Sequence, residues 1–419
     1  MAKYDYDSYT IYEMTKRPVY AVKIRVILNE PVRGDVLTNS AAKAFKRFPY
    51  FSRTIALEGG AYIMPSLDKP IVVTKGDHVV SLGTDESNGL YFAITYEGNE
   101  VYFHFAHNFC GACGAMRWIK ATLWQYLIDL GYDVDRAGIL TPDTPMTPEE
   151  AAAPDVASLP RGEALGNLVP PMDSYIPMAE YIERRMDPNG VDGYFPITIP
   201  KKEFMKFVRE NDGSPNSIIS VLMFKMYAKV LPNEKKFTAG IVNNYRADVG
   251  CPETYRDILR QMNVQYDIKM KDWSVEKLST YTRSRMYLLM QQEISWDWAR
   301  RLDEHRCQID AQPDLESKMT YAIEHSLTGR VPCAYNLSYV GKVAWGGLGP
   351  YIQGVFTLTV AHLLIEVNAT ENDFCISFQT LRKDRKYLTE FLEVLDEEGI
   401  AYAVGDYKER KIPRIIVPV

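Results

Sequence analysis

The chain has 419 residues, 46% hydrophobic, 24% charged and 12% aromatic, enough for a sizeable core and two or three domains. Its net charge is −6 and its pI is near 5.7, with Arg and Lys scattered rather than bunched, which argues against a nucleic-acid partner. The start MAKYDYDSYTIYEM lacks an apolar h-region, no run approaches the roughly 20 apolar residues of a membrane span, and six cysteines make no disulfide framework, so a cytoplasmic protein off the membrane is expected.

VYAVKIRVIL (19–28) is β-branched and predicts a strand. LTNSAAKAFKRF (37–48) predicts a helix stopped by Pro49, with Asn39 or Ser40 as N-cap. Strand-like runs follow at 61–64, 71–73, 90–96 and 100–106, split by turn clusters such as DESNG and YEGNE. In GAMRWIKATLWQYLIDLGY (114–132), Met116, Ile119, Leu123, Tyr126, Leu127 and Leu130 recur at helical spacing, and Gly131 is placed to end the helix.

Residues 140–172 are rich in proline and small polar residues. They set the expected division: an N-terminal lobe over 1–145, a linker over 146–175 and a C-terminal lobe over 176–419. The second half predicts a strand in YFPITIP, a helix over 214–231 begun by Ser214 or Asn216, a strand over 237–246 and a helical region over 274–305. VPCAYNLSYVG is strand-rich, HLLIEVNATENDFCISFQTL reads as a hairpin turning at TEND, and YLTEFLEVLDEEGI reads as a terminal helix. Strands and helices interleave, so the fold class is α/β, or an α+β sandwich, in two lobes.

The stretch HFAHNFCGACGA (104–115) concentrates the chemistry. His107 falls where a strand ends and small residues lead into a helix. A neutral imidazole there can take a proton from an alcohol or amine near neutral pH. The helix start behind it offers unpaired N–H groups. Three other readings compete. A metal could sit on His107, Cys110 and Cys113, although zinc sites use four ligands or three and a water. Cys110 and Cys113 could be a redox pair at a helix start. Or the cysteines are small packing residues in a tight turn.

Beyond this stretch, AFKRFPYFSRTI (44–55), IVNNYRADVG (241–250), AYNLSYVGKVAWGGLGPYI (334–352) and DFCISFQT occur in that order. Together they resemble the condensation-domain and alcohol-acetyltransferase branch of the chloramphenicol-acetyltransferase-like superfamily. The similarity spans nearly the whole chain. It places His107 on the histidine of the family's H-x-x-x-D-G loop, with Gly111 and Ala112 in the Asp-Gly places; a register one residue shorter puts Cys110 and Gly111 there. In either register the aspartate is missing. Asn244 and Arg246 fall on the family's Asn and Arg.

The resemblance implies two chloramphenicol-acetyltransferase-like lobes in a V with a tunnel between them, 334–352 crossing back towards the N-terminal lobe. It implies an acyltransferase that moves an acyl group from a thioester to an alcohol or amine, His107 acting as general base. The donor would be acyl-CoA, favoured slightly, or a phosphopantetheinyl acyl or peptidyl carrier protein. No bound cofactor or metal is expected, and a monomer suffices. Gly111, Ala112, Gly114 and Asn244 are candidates for the loop and oxyanion donors. Trp345, Gly346 and Gly347 are candidates for a latch between lobes, or a glycine turn beside a buried tryptophan. Arg246, lacking its partner aspartate, is expected to be compensated by water, another acid or a substrate anion. The missing aspartate also motivates an alternative: a catalytically silent relative that binds a ligand or partner. His78, His104, His305, His325 and His362 are read as structural.

Overall fold

The structure is a computed structural model and describes residues 8–14, 21–161, 193–327, 333–339, 343–359, 363–380 and 385–418. The expected linker beyond 161, the start of the C-terminal lobe up to 192, and His362 lie outside the described residues. Two large sheets organise the rest, giving the mixed α/β, two-lobed architecture expected.

The first sheet has five strands in the order Ile352–Thr359, Ala21–Leu28, Glu100–Ala106, Phe92–Glu97, Val72–Lys75. Its neighbours are antiparallel except for the last pair. The helix Ala112–Asp129 lies against it through Trp118, which is fully buried and meets Phe92 and Phe103 edge-on at 5.4 and 5.1 Å. Burying one such side chain stabilises by up to about 3 kcal/mol, and truncating it to alanine costs about 3–5 kcal/mol. That anchor fixes where the helix begins, and so fixes the turn before it. Gly131 ends the run with a φ of 92°, a conformation glycine reaches without strain.

The second sheet runs Leu259–Asp267, Lys236–Asn244, Tyr335–Tyr339, Leu364–Ala369, Asp373–Thr380, Gly193–Pro200, Ala403–Val404, with Lys408–Glu409 also pairing to Gly193–Pro200. Helix Pro215–Val230 begins with a reciprocal cap between Ser214 and Ser217, so Ser214 rather than Asn216 starts it. The helical region at 274–305 is two helices, Val275–Leu289 and Gln292–Asp310, separated where Gln291 turns extended (φ −60°, ψ 139°).

The faces of the second sheet differ. Ile241, Leu337, Ile365, Val367, Ile376 and Phe378 belong to the apolar core shared with its helices. The alternate positions, on the other face, are Gly240, Asn263, Asn336, Ser338, Glu366, Asn368, Ser377 and Gln379. This polar face looks towards the first lobe: Asn368 Nδ2 donates to Thr357 Oγ1 at 3.0 Å, and Gln379 Oε1 accepts from the Thr359 N–H at 2.9 Å.

Segment 334–352 divides. Tyr335–Tyr339 stays within the second sheet, and the strand that joins the first sheet, Ile352–Thr359, begins at the segment's last residue. The C-terminal tail also returns to the first lobe, where Arg414–Ile415 pairs with Ser81–Leu82 and Tyr62 Oη donates to the Pro418 carbonyl. Among the described residues, no helix is long and apolar enough to cross a membrane.

Candidate active site

His107 follows directly on the central strand Glu100–Ala106. The turn after it closes through the Phe109 N–H donating to the Ala106 carbonyl at 3.0 Å, and the Phe109 ring stacks on Tyr91 at 4.8 Å. Gly111 then caps the helix Ala112–Asp129 without a side-chain bond. The imidazole is thus held between a rigid strand and a rigid helix start.

Its partner comes from a distant segment. His107 Nδ1 lies 2.8 Å from Asp257 Oδ2, with 23% of the histidine side chain still exposed. Burial pulls the imidazole pKa down, but the Asp257 carboxylate outweighs it through charge and hydrogen bonding, and the net result is a rise to about 9. With Nδ1 engaged, Nε2 is the nitrogen left to exchange a proton.

Asp257 sits in the loop 251–258, which leads into the strand Leu259–Asp267. The loop is part of the second lobe in sequence, yet it docks on the first. The Tyr255 N–H donates to the Glu150 carbonyl at 3.0 Å, and the Tyr255 ring stacks flat on Tyr50 at 4.1 Å. Arg47 Nη1 holds the Glu150 carboxylate at 3.0 Å. Arg117, on the site helix, donates to the Glu253 carbonyl and carboxylate at 2.6 and 2.7 Å. A side chain at Gly114 would bring Cβ to 2.2 Å from the Tyr255 carbonyl oxygen, so only glycine permits this approach.

Arg246 is 3% exposed, and its guanidinium donates to the Thr254 and Arg256 carbonyls and to Asn244 Oδ1. The expectation that it is free for a substrate anion is therefore corrected: its donors hold the backbone of the Asp257 loop. The place of the missing aspartate is also filled. A Cβ on Gly111 would lie 2.9 Å from Arg246 Nη2 and 3.0 Å from Asp257 Oδ1. Asp257 thus brings a carboxylate to the space that a motif aspartate would need.

The remaining expected residues separate into two groups. Asn244 lies near the start of the helix that follows His107, its Nδ2 4.0 Å from Cys113 Sγ. Gly111 and Ala112 N–H groups precede the first intrahelical bond, whereas the Gly114 N–H already donates to the Gly111 carbonyl at 3.0 Å and is no oxyanion donor. Trp345, Gly346 and Gly347 sit on a bracket instead. Trp345 Nε1 donates to the Ala369 carbonyl of the second sheet at 2.8 Å, while Gly347 presses on the Asp135 backbone, where a Cβ would come within 2.7 Å of its carbonyl oxygen.

Sequence reasoning missed three groups. Asp257 is one. Asn108 is another: it is 3% exposed, and neither amide atom has a hydrogen-bond partner among the described residues. The third is Glu366, 5% exposed on the polar face of the second sheet. Burial drives its pKa up to about 8, against a hydrogen bond from Ser338 and the pull of the nearby His107 charge.

Of the other histidines, His104 is fully buried, bonded to Thr95 Oγ1 at 2.9 Å and held neutral by burial. Among the described residues, no three of His, Cys, Asp and Glu group as metal ligands. A cavity of about 310 Å³ lies elsewhere, beside Leu28–Pro31 and Tyr126, and contains none of the site residues.

No protein-family model and no curated protein matches this sequence. Solved structures do. Fusarium sporotrichioides TRI101, complexed with coenzyme A and T-2, superposes with a TM-score of 0.60 at 13% identity, over 95% of this chain and 99% of that one. The trichothecene 15-O-acetyltransferase TRI3 from the same species gives 0.58 at 8% identity, over 94% and 93%. The first condensation domain of the calcium-dependent antibiotic synthetase gives 0.58 at 9% identity, over 95% and 97%. The chain has the two-lobed chloramphenicol-acetyltransferase-like fold.

Proposed function

We propose that this chain is an acyltransferase that moves an acyl group from a thioester to an alcohol or amine, with His107 as general base. The observation that carries this reading is the His107–Asp257 pair: Nδ1 is held at 2.8 Å by a carboxylate, and Nε2 is left for the acceptor. The likeness to a structure complexed with coenzyme A and to a condensation domain supports a donor on coenzyme A or on a phosphopantetheine arm.

In this reading Nε2 removes the proton of the acceptor, and the acceptor oxygen or nitrogen attacks the thioester carbonyl. The tetrahedral oxyanion collapses, the C–S bond breaks, and the departing thiolate takes the proton back from His107. No covalent enzyme intermediate forms and no cofactor is consumed. Asp257 keeps the proton of Nδ1 in place, and general-base assistance of this kind contributes roughly 100- to 10,000-fold. The N–H groups of Gly111 and Ala112 and the Asn244 amide are the oxyanion donors in reach of the loop. His107 and Asp257 come from one chain, which suits a monomer.

The alternative, a silent binding protein, rested on the missing motif aspartate. Asp257 supplies a carboxylate at that point and removes the reason to prefer it. Thioester consumption tests the proposal: the protein and His107→Ala, offered a panel of acyl-CoAs and loaded carrier proteins with mixed alcohols and amines, with free thiol and product mass followed. Turnover lost in the variant is expected; turnover equal in both proteins, or absent from both with every donor, overturns it.

A further inference from the structure

The cavity of about 310 Å³ lies at the far end of the helix that starts behind His107. His107 stands before the first turn of Ala112–Asp129, whereas Tyr126, Leu127 and Leu130, at and just past its other end, line the cavity. A helix of 18 residues spans about 27 Å, so the cavity is no part of the acyl-transfer site. Leu28, Leu127 and Leu130 give it an apolar side. Tyr132 and Tyr351, edge to face with ring centroids 5.2 Å apart, give it an aromatic one. Glu30 and Arg33 enter from the turn between the strand Ala21–Leu28 and the helix Gly34–Phe45. The backbone of that turn is pinned: the Asn29 and Val32 N–H groups donate to the Tyr351 and Gly98 carbonyls at 3.2 and 2.7 Å, and the Arg33 N–H donates to Tyr126 Oη at 2.9 Å.

Two opposite charges thus line one cavity, and among the described residues Glu30 and Arg33 make no ion pair with each other. Tyr132 Oη donates to Glu30 Oε2 at 3.0 Å, which holds the carboxylate beside the aromatic side and leaves Oε1 to another donor. Arg33 meets Asp35 at 3.6 Å with both side chains largely exposed, a pairing worth little in water. Tyr126 is buried, and its own hydroxyl proton meets no acceptor among the described residues. We propose that this cavity is a second binding site and that its ligand is an α-amino acid with an apolar side chain. The ammonium sits on Glu30, the carboxylate on Arg33 and the Tyr126 hydroxyl, and the side chain against Leu28, Leu127 and Leu130. The volume lies at the low end for ligand pockets, which suits a molecule of that size. Binding here needs nothing from His107, so it stands apart from the acyltransferase reading.

Calorimetry on the full chain tests the assignment. L-Phenylalanine and L-leucine are titrated beside relatives that each lack one feature: 2-phenylethylamine the carboxylate, 3-phenylpropanoate the ammonium, glycine the apolar side chain. The two singly charged relatives are expected to bind roughly fivefold or more weakly than phenylalanine, and glycine about 10- to 100-fold more weakly. Arg33→Met is expected to erase the preference for a carboxylate and Glu30→Gln the preference for an ammonium, with the Tm of both variants unchanged because both side chains are exposed. His107→Ala is expected to bind both amino acids as the parent does. Binding lost in His107→Ala yet kept in Arg33→Met and Glu30→Gln would put the amino acid in the acyl-transfer site and overturn the second site. Affinity indifferent to either charge, or no binding up to about 10 mM, overturns it as well. The expected binding pattern without turnover on any thioester keeps the second site while the acyltransferase reading fails; turnover without amino-acid binding does the reverse.

Discussion

The two segments that meet at His107 are built in opposite ways. The His107 turn is held locally: strand before it, helix behind it, Phe109 and Trp118 packed into the first lobe. The loop 251–258 has no regular structure of its own; the nearby guanidinium of Arg246 and local backbone bonds hold its shape, and long-range contacts to Tyr50, Glu150 and Arg117 dock it on the first lobe. In the proposed reaction the first segment provides the reactive nitrogen and the second decides its proton. A base on a rigid element tuned by a carboxylate on a docked loop separates position from charge, and substitutions can act on each alone.

The largest effect belongs to the rigid side. His107→Ala removes the proposed base, and acyl transfer is expected to fall roughly 100- to 10,000-fold in kcat/KM with the Tm within a few degrees of the parent. A fall that a free imidazole in the assay restores would tie the loss to the missing base rather than to a shifted helix.

The docked side is expected to show its influence in the pH profile. A base works only when neutral, so the rate should climb with pH towards about 9, where His107 loses its proton. In Asp257→Asn the raising influence goes and burial, which lowers, remains; the rising limb should move to lower pH. The plateau should also drop, by roughly tenfold to a hundredfold, because the ring is no longer oriented. An unchanged limb would mean that Asp257 does not set the proton on His107.

Gly111→Asp asks whether one carboxylate has taken the place of the other. Its Cβ would crowd Arg246 Nη2 and Asp257 Oδ1, so a destabilisation of about 1–3 kcal/mol is expected. Adding Asp257→Ala should recover part of that loss, a coupling that denaturant melts of the four proteins would measure. Strict additivity would show that the two positions do not share the space.

This contrast also explains what was legible in the sequence. The strand at 100–106, the helix behind it and His107 at their junction follow from local periodicity, and the structure places each there. The strand end at Asn244 was legible, and the structure ends that strand there. Asp257 was not, because nothing in GCPETYRDIL is periodic and its position depends on partners about 100 to 200 residues away in the chain. The only warning was indirect: an arginine without its aspartate. Glu366 was hidden for another reason. LLIEVNA reads as an apolar strand with one stray acid, and only the pairing with Ser338 and Ser377 reveals a polar face. The helix Lys201–Glu210 was passed over although Phe204, Phe207 and Val208 recur at helical spacing on one face.

The smallest expected effect probes the docking alone. Arg117 reaches from the site helix to Glu253 with its side chain 24% exposed and that of Glu253 65% exposed. An ion pair this open to water contributes about 0.2–1 kcal/mol, so Arg117→Ala should leave the Tm nearly unchanged. Its second bond, to the Glu253 carbonyl, lies four residues before Asp257 and restrains the same loop. A severalfold fall in kcat with little change in KM is therefore expected, together with a weaker dependence of the variant's rate on added salt than the parent shows. If kcat holds, Arg246 and the Tyr50–Tyr255 stack suffice to fix the loop, and the charge on the site helix serves the surface instead. If kcat falls as far as in Asp257→Asn, the carboxylate is positioned from the helix side, and the two segments are less independent than their architecture suggests.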